Sequence, residues 1–215
     1  MCQAEDLVSG PQSREAMRGE RACYGAAVST WLCLLRGLGP QHKLPMAALR
    51  DSLTTAGLTD VRTYIQSGNI IAGSTLRTHT QVSRLVRTVI ATDFSVDLPV
   101  ISRRPAEIDQ LIAANPFAAY VQQRPHLIRV IFLDAVPSKE RVEKLTAVEA
   151  IQDTCRVIGN HVYVDYVRGY HNTHRTAPWF TRALGVDGTE RNWRTVLALA
   201  DRLGQAPGAA ARRKA

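Results

Sequence analysis

A Gly-Asn pair occurs twice in this sequence, each time between two short runs of β-forming residues. The first copy is YIQSGNII at 64–71, and the second is RVIGNHVY at 156–163. Glycine and asparagine both tolerate a positive φ, so the pair is a signal for a two-residue hairpin. A hairpin that recurs about ninety residues later predicts a duplicated unit.

The residues around each hairpin predict the same order of elements. In both cycles a short apolar run typical of a buried strand precedes a segment with helical spacing, and a second helix follows the hairpin. The predicted elements are strands 31–36, 61–66, 69–73 and 98–102 with helices 45–56 and 81–91, a connecting helix 105–114, strands 127–133, 155–158 and 161–167 with helices 139–150 and 179–184, and a last helix 191–203. This order predicts an α+β fold with two ferredoxin-like βαββα(β) halves joined in tandem, each an antiparallel sheet covered by helices.

The predicted order of elements divides the chain into four segments. We predict a poorly ordered N-terminal extension at 1–29, a first half at 30–104, a second half with the C-terminal helix at 105–204, and a disordered basic tail at 205–215. The two ends are rich in small, polar and charged residues and lack periodicity. Met17 is a second candidate for the start of translation.

Composition narrows the class of protein. No apolar run approaches the ~18 residues of a membrane span, and no secretory signal is visible at the start. The four cysteines form no C-x-x-C pair, which argues against zinc and thioredoxin-type sites. We therefore expect a cytoplasmic protein without a metal, a cofactor or a membrane partner.

The positive charge lies within the predicted folded part of the chain. The net charge is +8, and residues 30–210 hold 21 basic and 15 acidic residues, with arginine dominating. Arginine forks suit phosphate and carboxylate groups. A basic surface that keeps the protein soluble explains the same numbers.

The loop RGLGPQHK at 36–43 leaves the first predicted strand and enters the first helix. It carries Arg36, His42 and Lys43. Cations beside the amides of a helix start predict an anion site. The loop lacks G-x-x-x-x-G-K-[ST], so nothing supports nucleotide triphosphate binding.

The stretch VRTYIQSGN at 61–69 places polar side chains on one side of a strand, because side chains alternate with period two. Tyr64 and Gln66 then form either a solvated face or the polar floor of a ligand site. Ser67 and Asn69 either bind the same ligand or stabilise the turn through its backbone.

The segment GYHNTHRT at 169–176 has the most unusual composition. His171 and His174 are candidate acid–base catalysts near neutral pH, with Thr173 and Arg175 as ligand-binding neighbours. No H-E-x-x-H or nearby cysteine pair accompanies the H-x-x-H spacing, so metal is not favoured. A solvated polar loop is the alternative.

The stretch TERNW at 189–193 opens the last predicted helix, with Thr189 as its N-cap and Trp193 in the core. Arg191 and Asn192 have no structural role in that prediction. We therefore add both to the predicted ligand-binding set.

Several of these motifs resemble the bacterial family catalogued as domain of unknown function 1697. LLRG, KLPMAALRDSL, DVRTYIQSGNII, NPF, GYHNTHRTAPWFTRALGV and TERNWRTV occur in the family's order over about residues 31–203. The resemblance implies two joined ferredoxin-like halves and no particular reaction. The chain departs from the family pattern in its LGPQHK loop, where relatives are glycine-rich, and at His174, which stands where relatives carry lysine after Thr173.

Three functions fit these features. The leading hypothesis is a protein that binds a polar or anionic small molecule in a basic cleft, either as an enzyme that uses histidine acid–base chemistry or as a binding protein. In it, His171 or His174 is the acid or base, Arg36 or Arg191 is the anion clamp, and Tyr64 and Gln66 position the ligand. Nucleic-acid binding is the first alternative, although the chain is only 6% aromatic and has no RNP1-like run. An interaction module without catalysis is the second.

Overall fold

The computed structural model describes residues 27–39, 42, 44–147, 154–167 and 169–205, with only the backbone described for Asn172. Nearly all of the predicted N-terminal extension and the whole tail after 205 lie outside these residues, and so does Lys43. The division into halves at 104 stays a prediction.

Within the described residues, the strands and helices follow the predicted order, except that a strand that was not predicted precedes the last helix. The first half holds β1 (Ser29–Leu35), α1 (Met46–Thr55), β2 (Thr59–Tyr64), β3 (Asn69–Ser74), α2 (His79–Phe94) and β4 (Val100–Arg103). After α3 (Pro105–Ala113), the second half holds β5 (Ile128–Leu133), α4 (Lys139–Ala147), β6 (Thr154–Ile158), β7 (His161–Asp165), α5 (Ala177–Leu184), β8 (Gly188–Asn192) and α6 (Trp193–Gly204).

The strands form two four-stranded antiparallel sheets with the same topology. Their orders are β2-β3-β1-β4 and β6-β7-β5-β8. Leu34 pairs with Asn69 in the first sheet, and Phe132 pairs with His161 in the second. Each pairing links the central strand to the residue that opens the strand after the hairpin. The predicted α+β fold with tandem ferredoxin-like halves is confirmed.

Both faces of both central strands are buried, because residues of opposite parity enter different cores. On β1, Cys33 packs in a cluster with α1 and α2, whereas Leu34 joins a second cluster. This second cluster also contains Phe132 of β5 together with residues of α3 and α6, and the outer face of β5 packs against α4 and α5. The halves therefore share one central core and have one outer core each.

The two hairpins differ from each other, contrary to the prediction. The second has the predicted two-residue loop, Gly159-Asn160, because Ile158 pairs with His161. The first is longer, because Tyr64 pairs with Asn69 across residues 65–68. Ile65 has a φ of 48° and Gly68 a φ of 71°, so the chain turns earlier than the Gly-Asn signal indicated.

The start of the last helix was also predicted wrongly. Thr189 and Arg191 belong to the edge strand β8, which pairs with β5. The helix begins at Trp193, and the Oδ1 atom of Asn192 accepts a hydrogen bond from the amide of Thr195 at 2.8 Å. Asn192, not Thr189, is therefore the N-cap. Trp193 is buried as predicted, with 3% of its surface exposed.

Candidate functional site

Arg191 on β8 joins the second half to the hairpin of the first. Its Nε donates to Oδ1 of Asn69 at 2.6 Å, and its Nη2 donates to the carbonyls of Leu35 and Ser67, each at 3.0 Å. Its Nη1 donates to the hydroxyl of Thr189 at 2.8 Å. Burial lowers the pKa of Arg191 to about 10 by removing water from the charge. These contacts form an internal clamp between the halves.

Arg103 on β4 makes the reciprocal clamp from the first half to the second. Its Nε donates to Nε2 of His161 at 3.2 Å, and its Nη2 donates to the carbonyls of Leu133 and of Asn160. His161 occupies the sheet position of Asn69, and Leu133 that of Leu35. The two arginines are therefore related by the internal repeat. Burial and then the charge of Arg103 lower the pKa of His161 to about 3, which leaves Nε2 free to accept.

A cleft lies beside the Arg103 clamp, where the two halves meet. We call it the junction cleft; its volume is about 630 Å³. Its lining residues are His79, Thr80, Ser83, Arg84, Arg87, Pro99, Val100, Ile101, Ser102, Arg103, Glu107, Asp134, Asn160 and Asp187. Most come from α2, β4 and the start of α3, while Asp134, Asn160 and Asp187 come from the second half.

A second cleft, of about 610 Å³, shares Asp134 and Asp187 with the junction cleft. Arg36 lies in it and forms an ion pair with Asp187. Arg36 follows β1 as Asp134 follows β5, and the amide of Asp134 donates to the carbonyl of Asp187 at 2.9 Å. The ion pair thus joins one half to the other at the boundary of the junction cleft.

Most charged groups of the junction cleft are paired within the protein. Arg87 binds Asp97 through two hydrogen bonds of 2.5 and 2.6 Å. His79 contacts Glu107 at 2.8 Å. Arg103 makes the contacts given above, and its Nη1 donates to the carbonyl of Ser102 at 2.9 Å.

Two charged groups remain. Within the described part of the chain, neither the exposed Arg84 nor Asp134 forms an ion pair. Burial, and then the nearby carboxylate of Asp187, raise the pKa of Asp134, and the charge of Arg36 opposes that rise. The cleft therefore offers one cation and one carboxyl group that form no ion pair within 4 Å among these residues.

The predicted residues of the loop 36–43 fall in two places. Arg36 is at the second cleft, whereas His42 lines a third cleft of about 570 Å³ at the start of α1, together with Gln66. Nδ1 of His42 accepts a hydrogen bond from the amide of Gly39 at 3.4 Å. His42 and Gln66 are therefore together, and Arg36 is apart from them.

The predicted residues of the first hairpin are tied into the fold. Asn69 is fully buried, and its Nδ2 donates to the hydroxyl of Ser67 at 2.7 Å and to the carbonyl of Tyr64 at 3.1 Å. The guanidinium of Arg202 lies 3.9 Å from the centre of the Tyr64 ring. With Arg191 on Asn69 Oδ1, these contacts give Tyr64, Ser67 and Asn69 structural roles.

None of the described side chains in the segment 169–176 lines any of the three clefts. His171 and His174 are exposed, and the guanidinium of Arg175 lies 5.0 Å from the centre of the Trp179 ring. The amide of Arg175 donates to the hydroxyl of Thr173 at 3.0 Å. The predicted segments therefore do not converge in one of these clefts, and the ligand and catalytic roles of these four residues stay predictions.

Sequence reasoning missed the residues of the junction cleft that have no ionic partner. Arg84 is one charged residue among several on an amphipathic helix, so no local pattern marks it. Asp134 could have been found by aligning the two cycles, because it occupies the position of Arg36. Within the described residues, no group of three or more His, Cys, Asp or Glu side chains is placed to hold a metal ion. None of the described helices has the length and apolar character needed to span a bilayer.

Fold and junction together define a class: a tandem α+β protein whose two related halves are joined by reciprocal buried arginines. The family model described as "Protein of unknown function (DUF1697)" matches residues 28–163, and the chain belongs to that family. The resemblance in the sequence motifs is thereby confirmed.

A solved structure with a similar fold comes from Streptococcus pneumoniae and is titled "The structure of conserved bacterial protein SP0830". The two chains are 20% identical, with a TM-score of 0.62, and the match covers 82% of this chain and 99% of that one. A search of curated proteins found no match. The likeness establishes the fold and assigns no activity.

Proposed function

We propose that this protein binds a small polar molecule with an anionic group in the junction cleft. The observation that carries the proposal is Arg84, an exposed guanidinium that lines the cleft and forms no ion pair with a described residue. An arginine fork matches a carboxylate or a phosphate group.

The position and size of the cleft support this proposal. Small-molecule sites are clefts of about 300–1,000 Å³ and occur preferentially between domains. The junction cleft has about 630 Å³ and takes residues from both halves. The buried clamp of Arg103 beside it fixes one wall, so a ligand would meet a preformed surface.

A catalytic role is a separate question from ligand binding. A role for His171 or His174 as acid or base stays a prediction, and neither residue lines the junction cleft. Asp134 does line it, and burial raises the pKa of its carboxyl group. We therefore propose ligand binding, and no catalytic residue, for the junction cleft.

Nucleic-acid binding receives less support from the fold. A ferredoxin-like sheet that binds RNA stacks bases on an open face. Here residues on both faces of β1 and of β5 are buried in hydrophobic clusters. The central part of each sheet is therefore covered.

The test is a titration of the full chain followed by amide chemical shifts in NMR spectra. The probes are acetate, butyrate and ethyl phosphate. We expect shifts that saturate and that concentrate at Arg84 and the neighbouring residues of α2 and β4. Arg84→Ala should weaken binding about tenfold or more, since a charge-assisted hydrogen bond contributes about 1.5–3 kcal/mol.

Arg194→Ala is the matched control. Arg194 is also an exposed helical arginine, lies on α6, and lines none of the three clefts. It should leave the affinity unchanged. Saturation by none of the probes, or equal losses in the Arg84 and Arg194 variants, would overturn the proposal.

A further inference from the structure

We infer that the ligand of the junction cleft is zwitterionic, with its anionic group on Arg84 and an amino group on Asp134. The inference rests on the proposed function and extends it from an anion to a class of molecule: a small amino acid or an amine that carries a phosphate.

The first argument concerns the charged side chains of the cleft that form no ion pair within the protein. Three arginines line the cleft, of which Arg103 donates from all three nitrogens, to the second half and to the carbonyl of Ser102, and Arg87 is paired with Asp97. Arg84 is left.

The carboxylates of the cleft can be sorted in the same way, by the partners they already have. Glu107 accepts from the amide of Arg104 at 2.6 Å and contacts His79, and Asp187 is paired with Arg36. Asp134 is left. Arg84 and Asp134 therefore face the cleft without an ion pair within 4 Å among the described residues, and the charge of Arg36 acts on Asp134 from a greater distance.

The two remaining groups come from different halves and do not pair with each other within 4 Å. A ligand with a single anionic group would satisfy Arg84 only. A ligand with an anionic and an amino group would satisfy both at once, and it would bring no net charge into the cleft. Electrostatic complementarity of this kind selects partners by disfavouring those with a charge of one sign.

The second argument is the direction of a hydrogen-bond chain in the cleft wall. The hydroxyl of Ser102 donates to the carbonyl of His79 at 3.1 Å, so its one proton is used there. Ser83 Oγ, 3.0 Å from Ser102 Oγ, must then supply the proton of that contact. Ser83 therefore offers only lone pairs to the cleft. An acceptor at this position favours a ligand that has a donor group, as an amine does.

The test compares probes that differ by an amino group alone. Butyrate is compared with 4-aminobutyrate, propionate with β-alanine, and ethyl phosphate with phosphoethanolamine, in NMR titrations of the full chain. Three chain lengths are used so that one of them spans the cleft. In at least one pair, the amino compound should bind about tenfold more tightly, as a charge-assisted hydrogen bond provides.

The variants separate the two ends of the ligand. Asp134→Asn should abolish the advantage of the amino compound, so that the two members of each pair bind with about equal affinity. Arg84→Gln should weaken both members of each pair. Asp201→Asn is the control, because Asp201 is exposed on α6 and lines none of the three clefts. In the wild-type chain, the amino compound should additionally shift the amide of Asp134, which requires no substitution.

The outcomes distinguish the two proposals. If simple anions bind through Arg84 and no amino compound gains affinity, the inference is overturned and the proposed function stands. An amine advantage that survives Asp134→Asn overturns it as well. If no probe of either kind binds, both proposals fail.

Discussion

Arg191 retains a charge in the interior because each of its side-chain nitrogens has a fixed acceptor. Nε binds Asn69, Nη2 binds the carbonyls of Leu35 and Ser67, and Nη1 binds Thr189. A buried charge is costly unless it is hydrogen-bonded, and buried acceptors are costly once their donor is removed. Arg191 therefore stabilises the junction only while all of these hydrogen bonds are formed.

Replacement of Arg191 by methionine should destabilise the protein by about 3 kcal/mol or more, because several buried acceptors lose their donor at about 1–3 kcal/mol each. Chemical denaturation monitored by tryptophan fluorescence measures the change. Arg194→Met, at an exposed position on α6, should stay within about 0.5 kcal/mol of the wild type. Equal effects of the two substitutions would contradict the clamp.

His161 should make stability depend on pH in a particular range. Its folded-state pKa is about 3, whereas an unfolded histidine titrates near 6.5. As pH falls through 6.5 the unfolded chain binds a proton that the folded chain does not, so the free energy of unfolding should decrease by up to about 1.4 kcal/mol per pH unit. The loss should end near pH 3, where the folded imidazole also titrates.

The control for this prediction exists within the molecule. Asn69 occupies the equivalent position and accepts from Arg191 without a titratable group. His161→Asn should therefore flatten the decline between pH 6.5 and pH 5, measured by denaturant unfolding at each pH. An unchanged slope in this variant would refute the assignment to His161.

At the scale of elements, the two hairpins differ in how closely they approach the central strand. Gly68 has a φ of 71°, and a Cβ added there would lie 2.6 Å from Cβ of Leu35. Gly159 has a φ of 58°, and an added Cβ would have nothing within 4 Å. Both glycines are favoured by the left-handed conformation, and only Gly68 is required by packing as well.

The pair Gly68→Ala and Gly159→Ala separates these two causes. Gly159→Ala should cost about 1–2 kcal/mol, the penalty of a left-handed alanine. Gly68→Ala should cost about 1–3 kcal/mol more, because it also overpacks the contact with Leu35. Thermal or denaturant unfolding of both variants measures the difference. Equal destabilisation would mean that the backbone of the first hairpin shifts and relieves the contact.

Local pattern predicted most elements and failed where a strand is held by the other half. Seven strands and the helices have hydrophobic periodicity or turn signals of their own. β8, with the sequence GTERN, has neither; Thr189 and Arg191 point into the junction and are satisfied there by Leu35 and Asn69. Its polar sequence is typical of a loop, so only the three-dimensional partner identifies the strand.

The same limit applies to the candidate site. Arg36 was predicted, and the structure places it at the boundary of the junction cleft. Arg84 and Asp134 were not predicted, because neither lies in a motif and they come together only when the halves dock. Sequence alone favoured the unusual histidine segment 169–176, although unusual composition does not determine which side chains line a cleft.

At the scale of the whole molecule, the halves share a hydrophobic core, and each half places one buried arginine against the other. The shared cluster takes Leu34 from the first sheet, Phe132 from the second and Trp193 from the last helix. Separation of the halves would expose this cluster and leave the acceptors of both clamps without donors. The exposure of apolar surface and the loss of these hydrogen bonds both oppose independent unfolding of one half. We therefore expect the two halves to unfold together, in one cooperative transition.

Unfolding of the halves should therefore occur at one denaturant concentration. Cys33 and Cys155 are buried in the outer cores of the first and second halves, and burial raises the pKa of Cys33 to about 12, so its thiol is unreactive in the folded chain. Pulses of iodoacetamide across a denaturant series, followed by peptide mass spectrometry, report both thiols in the same molecules. We expect coincident labelling midpoints, and Arg191→Met should lower both together. Labelling of Cys155 at a concentration that still protects Cys33, or the reverse, would show that the junction does not couple the halves.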